Sequence, residues 1–128
     1  MIEGLRMSKT ILVIEDDPDI IELLQYRLEH NGFKVLTAKT GGEGLRLAEE
    51  RNPDLITLDI NLPEVNGFTI CSMLKGNEDY KHIPIIMLTA RDAESDKIFS
   101  EHMAPEAYIT KPFEVEDLLV KIKEFLKT

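Results

Sequence analysis

At 128 residues the chain has the length of one domain, and 43% hydrophobic with 30% charged residues is a globular rather than a disordered balance. Acidic residues outnumber basic ones 24 to 15, a net charge of -9, and no basic stripe is visible, which argues against direct DNA or RNA binding by this chain. The single cysteine, Cys71, excludes an internal disulfide framework and fits a reducing compartment; no apolar run approaches the ~20 residues that span a bilayer, so a cytoplasmic location without membrane contact is expected.

The first ten residues lack the apolar core of a secretory signal. Residues 1–8 are read as an N-terminal extension or leader, with either Met1 or Met7 as the native start, and 9–127 as the domain proper. Ile11–Ile14 is too short for a helix and rich in β-branched residues, which predicts a buried strand. Asp17-Pro18 supplies an N-cap and a first-turn proline; Ile20, Ile21, Leu24 and Leu28 then recur at helical spacing as far as Asn31-Gly32. Phe33–Ala38 reads as the second strand. Thr40 and Glu43 have capping-box spacing and open a second helix, with Leu45, Leu47 and Ala48 on its apolar side, which Asn52-Pro53 stops. Leu55–Leu58 is the third strand, ending at Asp59. Pro63 and Asn66-Gly67 mark a loop, and Phe68, Ile70, Cys71 and Leu74 a third helix. Pro84–Leu88 is the fourth strand, ending at Thr89. Asp92 to about Met103 reads as a weaker, more polar fourth helix, Ala107–Ile109 as the fifth strand, and Leu118 to Leu126 as a fifth helix.

Strict β–α alternation, with no repeat or linker, predicts a parallel sheet with helices on both faces. Five units with right-handed crossovers give a flavodoxin-like (βα)5 three-layer sandwich of strand order 2-1-3-4-5. In such a sheet, ligands sit beyond the carboxyl ends of the strands. The residues there are Glu15, Asp16 and Asp17 after the first strand, Asp59 and Asn61 after the third, Thr89 after the fourth and Lys111 after the fifth.

Several carboxylates in one crevice repel one another, and either shift pKa upward or bind a cation. Hard oxygen ligands suit Mg²⁺, which pairs one or two carboxylates with a phosphate oxygen. A carboxylate beside such a metal and a lysine can attack phosphorus and form an aspartyl phosphate. A hydroxyl can then hold an equatorial oxygen of the transferred group. Taken singly these residues have ordinary readings: Asp17 as a helix cap, Thr89 as a strand end, Lys111 as a surface charge, Tyr108 as packing. Their joint placement at the same strand ends is what points to phosphoryl chemistry.

From about Lys9 to Leu126 the sequence resembles the receiver domain of two-component response regulators. The motifs are Ile11–Pro18 (ILVIEDDP), Leu58–Pro63 (LDINLP) with Asn66-Gly67, Leu88–Ala90 (LTA) and Tyr108–Phe113 (YITKPF). The resemblance implies that Asp59 is the phosphoacceptor, taking a phosphoryl group from a phosphohistidine of a histidine kinase or histidine phosphotransfer protein. It implies Mg²⁺, with Mn²⁺ as a substitute, held by Asp16 directly, Glu15 through water, Asp59, and the backbone carbonyl of Asn61. Thr89 would bond the phosphoryl group, Lys111 would pair with it, and Tyr108 would rotate inward as Thr89 moves. The Lys111–Pro112 bond is usually cis in this family. The face of the fourth helix, fifth strand and fifth helix would change shape and be read by a downstream protein or output domain. Such a chain is no turnover enzyme, although it catalyses its own phosphorylation and autodephosphorylation.

Some residues depart from the family pattern. Ala107 lacks a carboxylate that DNA-binding relatives use in a dimer, and Lys121 stands where they often carry arginine. A dimer of that kind is disfavoured, while another homodimer stays open. Asn61 and Arg91 flank the site and are expected to tune the lifetime of the phosphorylated state. A phosphatase of the haloacid dehalogenase type would need an acid at position 61, where Asn61 cannot protonate a leaving group. A flavodoxin-like cofactor carrier would want a Ser/Thr/Gly-rich phosphate loop where Glu15, Asp16 and Asp17 stand. A degenerate receiver acting only by contact is the remaining alternative. Whether the domain stands alone or belongs to a longer regulator or hybrid kinase is left open.

Overall fold

The computed structural model describes residues 8–89 and 104–127. Within them run β1 (Thr10–Ile14), α1 (Pro18–His30), β2 (Lys34–Ala38), α2 (Gly41–Arg51), β3 (Leu55–Asp59), α3 (Gly67–Lys75), β4 (Ile85–Thr89), β5 (Ala107–Thr110) and a C-terminal helix (Val115–Leu126). The predicted helix from Asp92 to about Met103, with Ala90 and Arg91, lies outside the described residues.

The five strands form one parallel sheet in the order β2-β1-β3-β4-β5, the order expected from the sequence. β1, β3 and β4 lie in its middle and are almost wholly buried, whereas β5, at one edge, has no fully buried residue. Alternation along each strand sends side chains to two separate cores. Leu12, Ile14, Ile56, Leu58, Ile85 and Met87 pack under α2 and α3 with Ala48, Ile70, Cys71 and Leu74. Ile11, Val13, Leu55, Ile86 and Leu88 pack under α1 and the C-terminal helix with Leu24, Leu28, Leu118 and Ile122. Each buried aliphatic side chain contributes about 1.5–3 kcal/mol relative to exposure, which is why helices cover both faces.

The helix ends follow local chemistry. Asp17 caps α1 by accepting the Asp19 amide at 2.9 Å, and Pro18 takes the first helical position. Thr40 accepts the Glu43 amide at 3.1 Å, while Glu43 reaches back to the amide of Lys39 at 3.0 Å. The capping-box residues are therefore engaged, but the reciprocal bond falls one residue outside the cap. Asn66 and Gly67, read from sequence as a loop, instead cap and open α3, with Asn66 Oδ1 accepting the Phe68 amide at 2.7 Å.

The apolar side of α2 also differs from expectation. Gly41, Gly44 and Ala48 form its buried stripe, and Leu45 and Leu47 are only partly buried beside it. A Cβ on Gly44 would stand 2.5 Å from Ile14 Cδ1, so a larger residue there needs the Ile14 side chain or α2 to shift. Among the described residues, no helix is long and apolar enough to cross a membrane.

Candidate functional site

All five parallel strands end at one edge of the sheet, and their carboxyl ends carry the site. Glu15 follows β1, Asp59 ends β3, Thr89 ends β4, and Lys111 follows β5. Glu15 extends the β1–β2 pairing, its amide donating to the Ala38 carbonyl at 2.9 Å. Its Oε2 accepts the Asp17 amide at 3.3 Å, so the start of α1 also orients this carboxylate. Glu15 and Asp59 are buried, and Asp16 is exposed beside them. Carboxylate oxygens of the three lie within 4.8 Å of one another.

Lys111 binds this cluster together. Its Nζ is 3.2 Å from Glu15 Oε1 and 3.2 Å from Asp59 Oδ1. Asp59 Oδ1 also accepts the Asn61 amide at 3.1 Å. Burial pushes the Glu15 carboxyl up to about 7; the negative charge of Asp59 adds to the rise and Lys111 opposes it.

The chain from Asp59 to α3 turns sharply to leave room here. The Leu62 and Gly67 amides both donate to the Ile60 carbonyl, at 3.1 and 2.8 Å. Glu64 adopts a left-handed φ of 72° in that turn. Gly67 then runs so close beneath Asp59 that a Cβ would meet the Asp59 carbonyl oxygen at 2.3 Å. The sequence marks Gly67 as a turn residue and as part of the Asn66-Gly67 motif of the resemblance; its close approach to the Asp59 backbone shows only in the folded chain.

The structure thus brings Glu15, Asp16, Asp59 and Lys111 into one cluster, with Asn61 attached through its amide. Thr89 stands at the same edge, buried, its Oγ1 without a hydrogen-bond partner among the described residues. Tyr108 is not in the cluster. It lies opposite Met87, two rungs short of the Thr89–Thr110 pair, and packs on the α2 and α3 side of the sheet. Asp17 is the helix cap expected of it, and the Lys111–Pro112 bond is cis.

The donor set fits a hard divalent cation. Among the described residues, three carboxylates crowd one space against the Lys111 ammonium, leaving an excess of negative oxygen that a cation such as Mg²⁺ would neutralise. Thr89 adds a buried hydroxyl at the same edge, without a partner among the described residues, suited to donating to an oxyanion.

Known proteins carry the same arrangement of sequence. The chain is 41% identical over 121 residues to the alkaline phosphatase synthesis transcriptional regulatory protein PhoP of Bacillus subtilis (strain 168), covering 94% of this chain and 50% of PhoP. It therefore spans about half the length of that relative. It is 37% identical over 120 residues to the polar-differentiation response regulator DivK of Brucella ovis, covering 94% of this chain and 98% of DivK. In structure it is similar to the receiver domain of the sensor histidine kinase PA1611 from Pseudomonas aeruginosa PAO1, with a TM-score of 0.84, 25% identity, and coverage of 95% of this chain and 100% of that one. That domain holds a magnesium ion in its active site cleft. The family model described as the response regulator receiver domain matches residues 11–123, the stretch that builds the sheet, its helices and the acidic edge, and the chain belongs to that family of two-component phosphoacceptor domains.

Proposed function

We propose that this chain is a phosphoacceptor switch in which Asp59 takes a phosphoryl group from a phosphohistidine of a histidine kinase or histidine phosphotransfer protein. The observation that carries this reading is the position of Lys111 Nζ, 3.2 Å from both Asp59 and Glu15 at the mouth of an acidic cluster. An Asp59 carboxylate oxygen attacks phosphorus as the P–N bond to the imidazole breaks. The ring nitrogen keeps the bonding electrons, and with a proton on its other nitrogen the imidazole leaves as the neutral ring. The Asn61 amide and Lys111 orient Asp59 through its Oδ1, leaving the second oxygen to react.

A bound Mg²⁺, or Mn²⁺ in its place, supplies charge neutralisation for the transferred group. Asp16, Glu15, Asp59 and the Asn61 carbonyl are the residues that would hold it. Lys111 neutralises a second part of the developing charge. Thr89 donates its unused hydroxyl to a phosphoryl oxygen, and Tyr108, half-buried on the same side of the sheet, follows into the space left behind. β5 and the C-terminal helix contribute to the face a downstream protein or output domain reads; the fourth helix expected from sequence for that face lies outside the described residues. The chain turns over no external substrate; it performs its own phosphorylation and autodephosphorylation. We take 9–127 as the receiver domain, 1–8 as an extension and the cytoplasm as its location.

Intact mass after incubation with acetyl phosphate, with and without Mg²⁺, tests the reading. One phosphoryl adduct that needs the metal and disappears in Asp59→Asn is expected. An adduct that persists in Asp59→Asn moves the acceptor elsewhere. No adduct in natively folded wild type favours a module that acts by contact alone.

A further inference from the structure

At the edge of the sheet opposite the acidic cluster, a charge is buried that no step above uses. Lys75 ends α3 and is 6% exposed. Its Nζ donates to the carbonyls of Lys81 at 3.0 Å and Ile83 at 2.8 Å, and to Glu106 Oε2 at 2.6 Å. An ammonium has three protons to donate, and all three have acceptors here. The other carboxylate oxygen of Glu106 accepts the Ile85 amide at 2.7 Å, while the Glu106 amide donates to the Ile85 carbonyl at 2.9 Å. Ile85 opens β4 and Glu106 immediately precedes β5. Glu106 therefore grips β4 with both its backbone and its side chain, one position before the first rung of the ladder at Ile86 and Ala107, and Lys75 fixes that side chain.

β5 needs such a hold. It has four residues, pairs among the described strands with β4 alone, and has no fully buried position. A short, half-buried edge strand specifies its register weakly. It also carries Tyr108, and it leads directly to Lys111, whose amide donates to the Thr89 carbonyl at 2.6 Å. A slip of one residue moves the chain by roughly 3.3 Å and turns each side chain to the opposite face. That displacement matches the whole length of the contacts from Lys111 to Asp59 and Glu15, each 3.2 Å.

We propose that Lys75 and Glu106 are positioning residues for phosphoryl transfer: from the far end of the sheet they fix the register of β5 on β4, and so hold the Lys111 ammonium at Asp59 and Glu15. This rests on the reading of Asp59 and Lys111 given above.

Three variants separate this role from plain stability. Lys75→Met keeps the apolar stem and removes the ammonium. Glu106→Gln keeps an acceptor for the Ile85 amide. The double variant removes both charges and keeps that acceptor. The readouts are amide hydrogen exchange across the sheet and the rate of phosphorylation by acetyl phosphate with Mg²⁺. In Lys75→Met, exchange at the Glu106 and Lys111 amides should rise about 10-fold or more while β1 and β3 hold their protection, as for a local opening. Phosphorylation should slow several-fold, and the double variant should recover most of both losses. If Lys75→Met does not fold, Glu106→Gln carries the same test. Exchange that rises equally in all strands, or a loosened β5 with an unchanged phosphorylation rate, overturns the proposal. A wild type that takes no phosphoryl group removes the reading of the site beneath it, whatever β5 does.

Discussion

Gly67 approaches Asp59 so closely that a Cβ there would lie 2.3 Å from the Asp59 carbonyl oxygen and 2.8 Å from Ile60 Cα. Both obstacles are backbone and cannot rotate away. Gly67→Ala must therefore push the β3 terminus or α3 aside. We expect a loss of about 1–3 kcal/mol in urea unfolding, the usual range for overpacking. We also expect slower phosphorylation, because the displaced backbone is that of the acceptor itself. Unchanged phosphorylation in a destabilised Gly67→Ala would show that the turn tolerates the shift.

Gly44 presents the same problem with a different obstacle. Its Cβ would meet the Ile14 side chain, at 2.5 Å from Cδ1 and 2.8 Å from Cγ1. Gly44→Ala alone should destabilise, and so should Ile14→Ala alone. Together they should cost about 1 kcal/mol or more less than the sum of the two, since the new methyl group occupies space the isoleucine vacates. Additive losses in a denaturant-unfolding cycle would mean that α2 simply moves outward.

Two buried threonines lack partners for their hydroxyls among the described residues, and they should respond differently to the same change. Thr57 lies in the middle of β3, between the Val13 and Ile86 rungs. Thr57→Val should stabilise by about 1 kcal/mol, since a buried hydroxyl without a bond is unfavourable, and leave phosphorylation unchanged. Thr89→Val should stabilise the unphosphorylated protein similarly but weaken the phosphorylated state. Mass spectrometry of the adduct over time and thermal melts of both variants check this.

Glu15 gives the metal-free protein a pH signature. Its folded pKa is raised to about 7, so between its ordinary value and that point the folded state holds more protons than the unfolded one. Stability from this group is present at low pH and is lost as pH rises toward 7. Glu15→Gln should flatten that part of the profile without metal. A wild-type curve that rises over the same window after subtraction of the variant would contradict the shift.

The strand order was readable because fully buried parallel strands show as unbroken apolar runs, as in Ile11–Ile14 and Ile85–Leu88. The acidic cluster was readable because topology carries strand-end residues to one edge. What stayed hidden depends on distances. Gly44 and Gly67 look like weak helix formers until a neighbour's coordinates show what a Cβ would strike. Lys75 carries no local signal of its role, since its acceptors at 81, 83 and 106 follow no local spacing. Its burial is a property of the assembled sheet.

The pair Lys111 and Glu15 lies 96 positions apart in the chain, at opposite ends of the amino-acid sequence. Neither the amino-terminal half nor the carboxyl-terminal half of the domain owns a working fraction of the site. A polypeptide lacking β5 has the acidic residues but no ammonium, and one lacking β1 has the ammonium with two of its carboxylates gone. Reactivity toward acetyl phosphate is therefore a reporter of completed folding: during refolding, competence should arrive only with the last strand docked, in one step rather than by degrees.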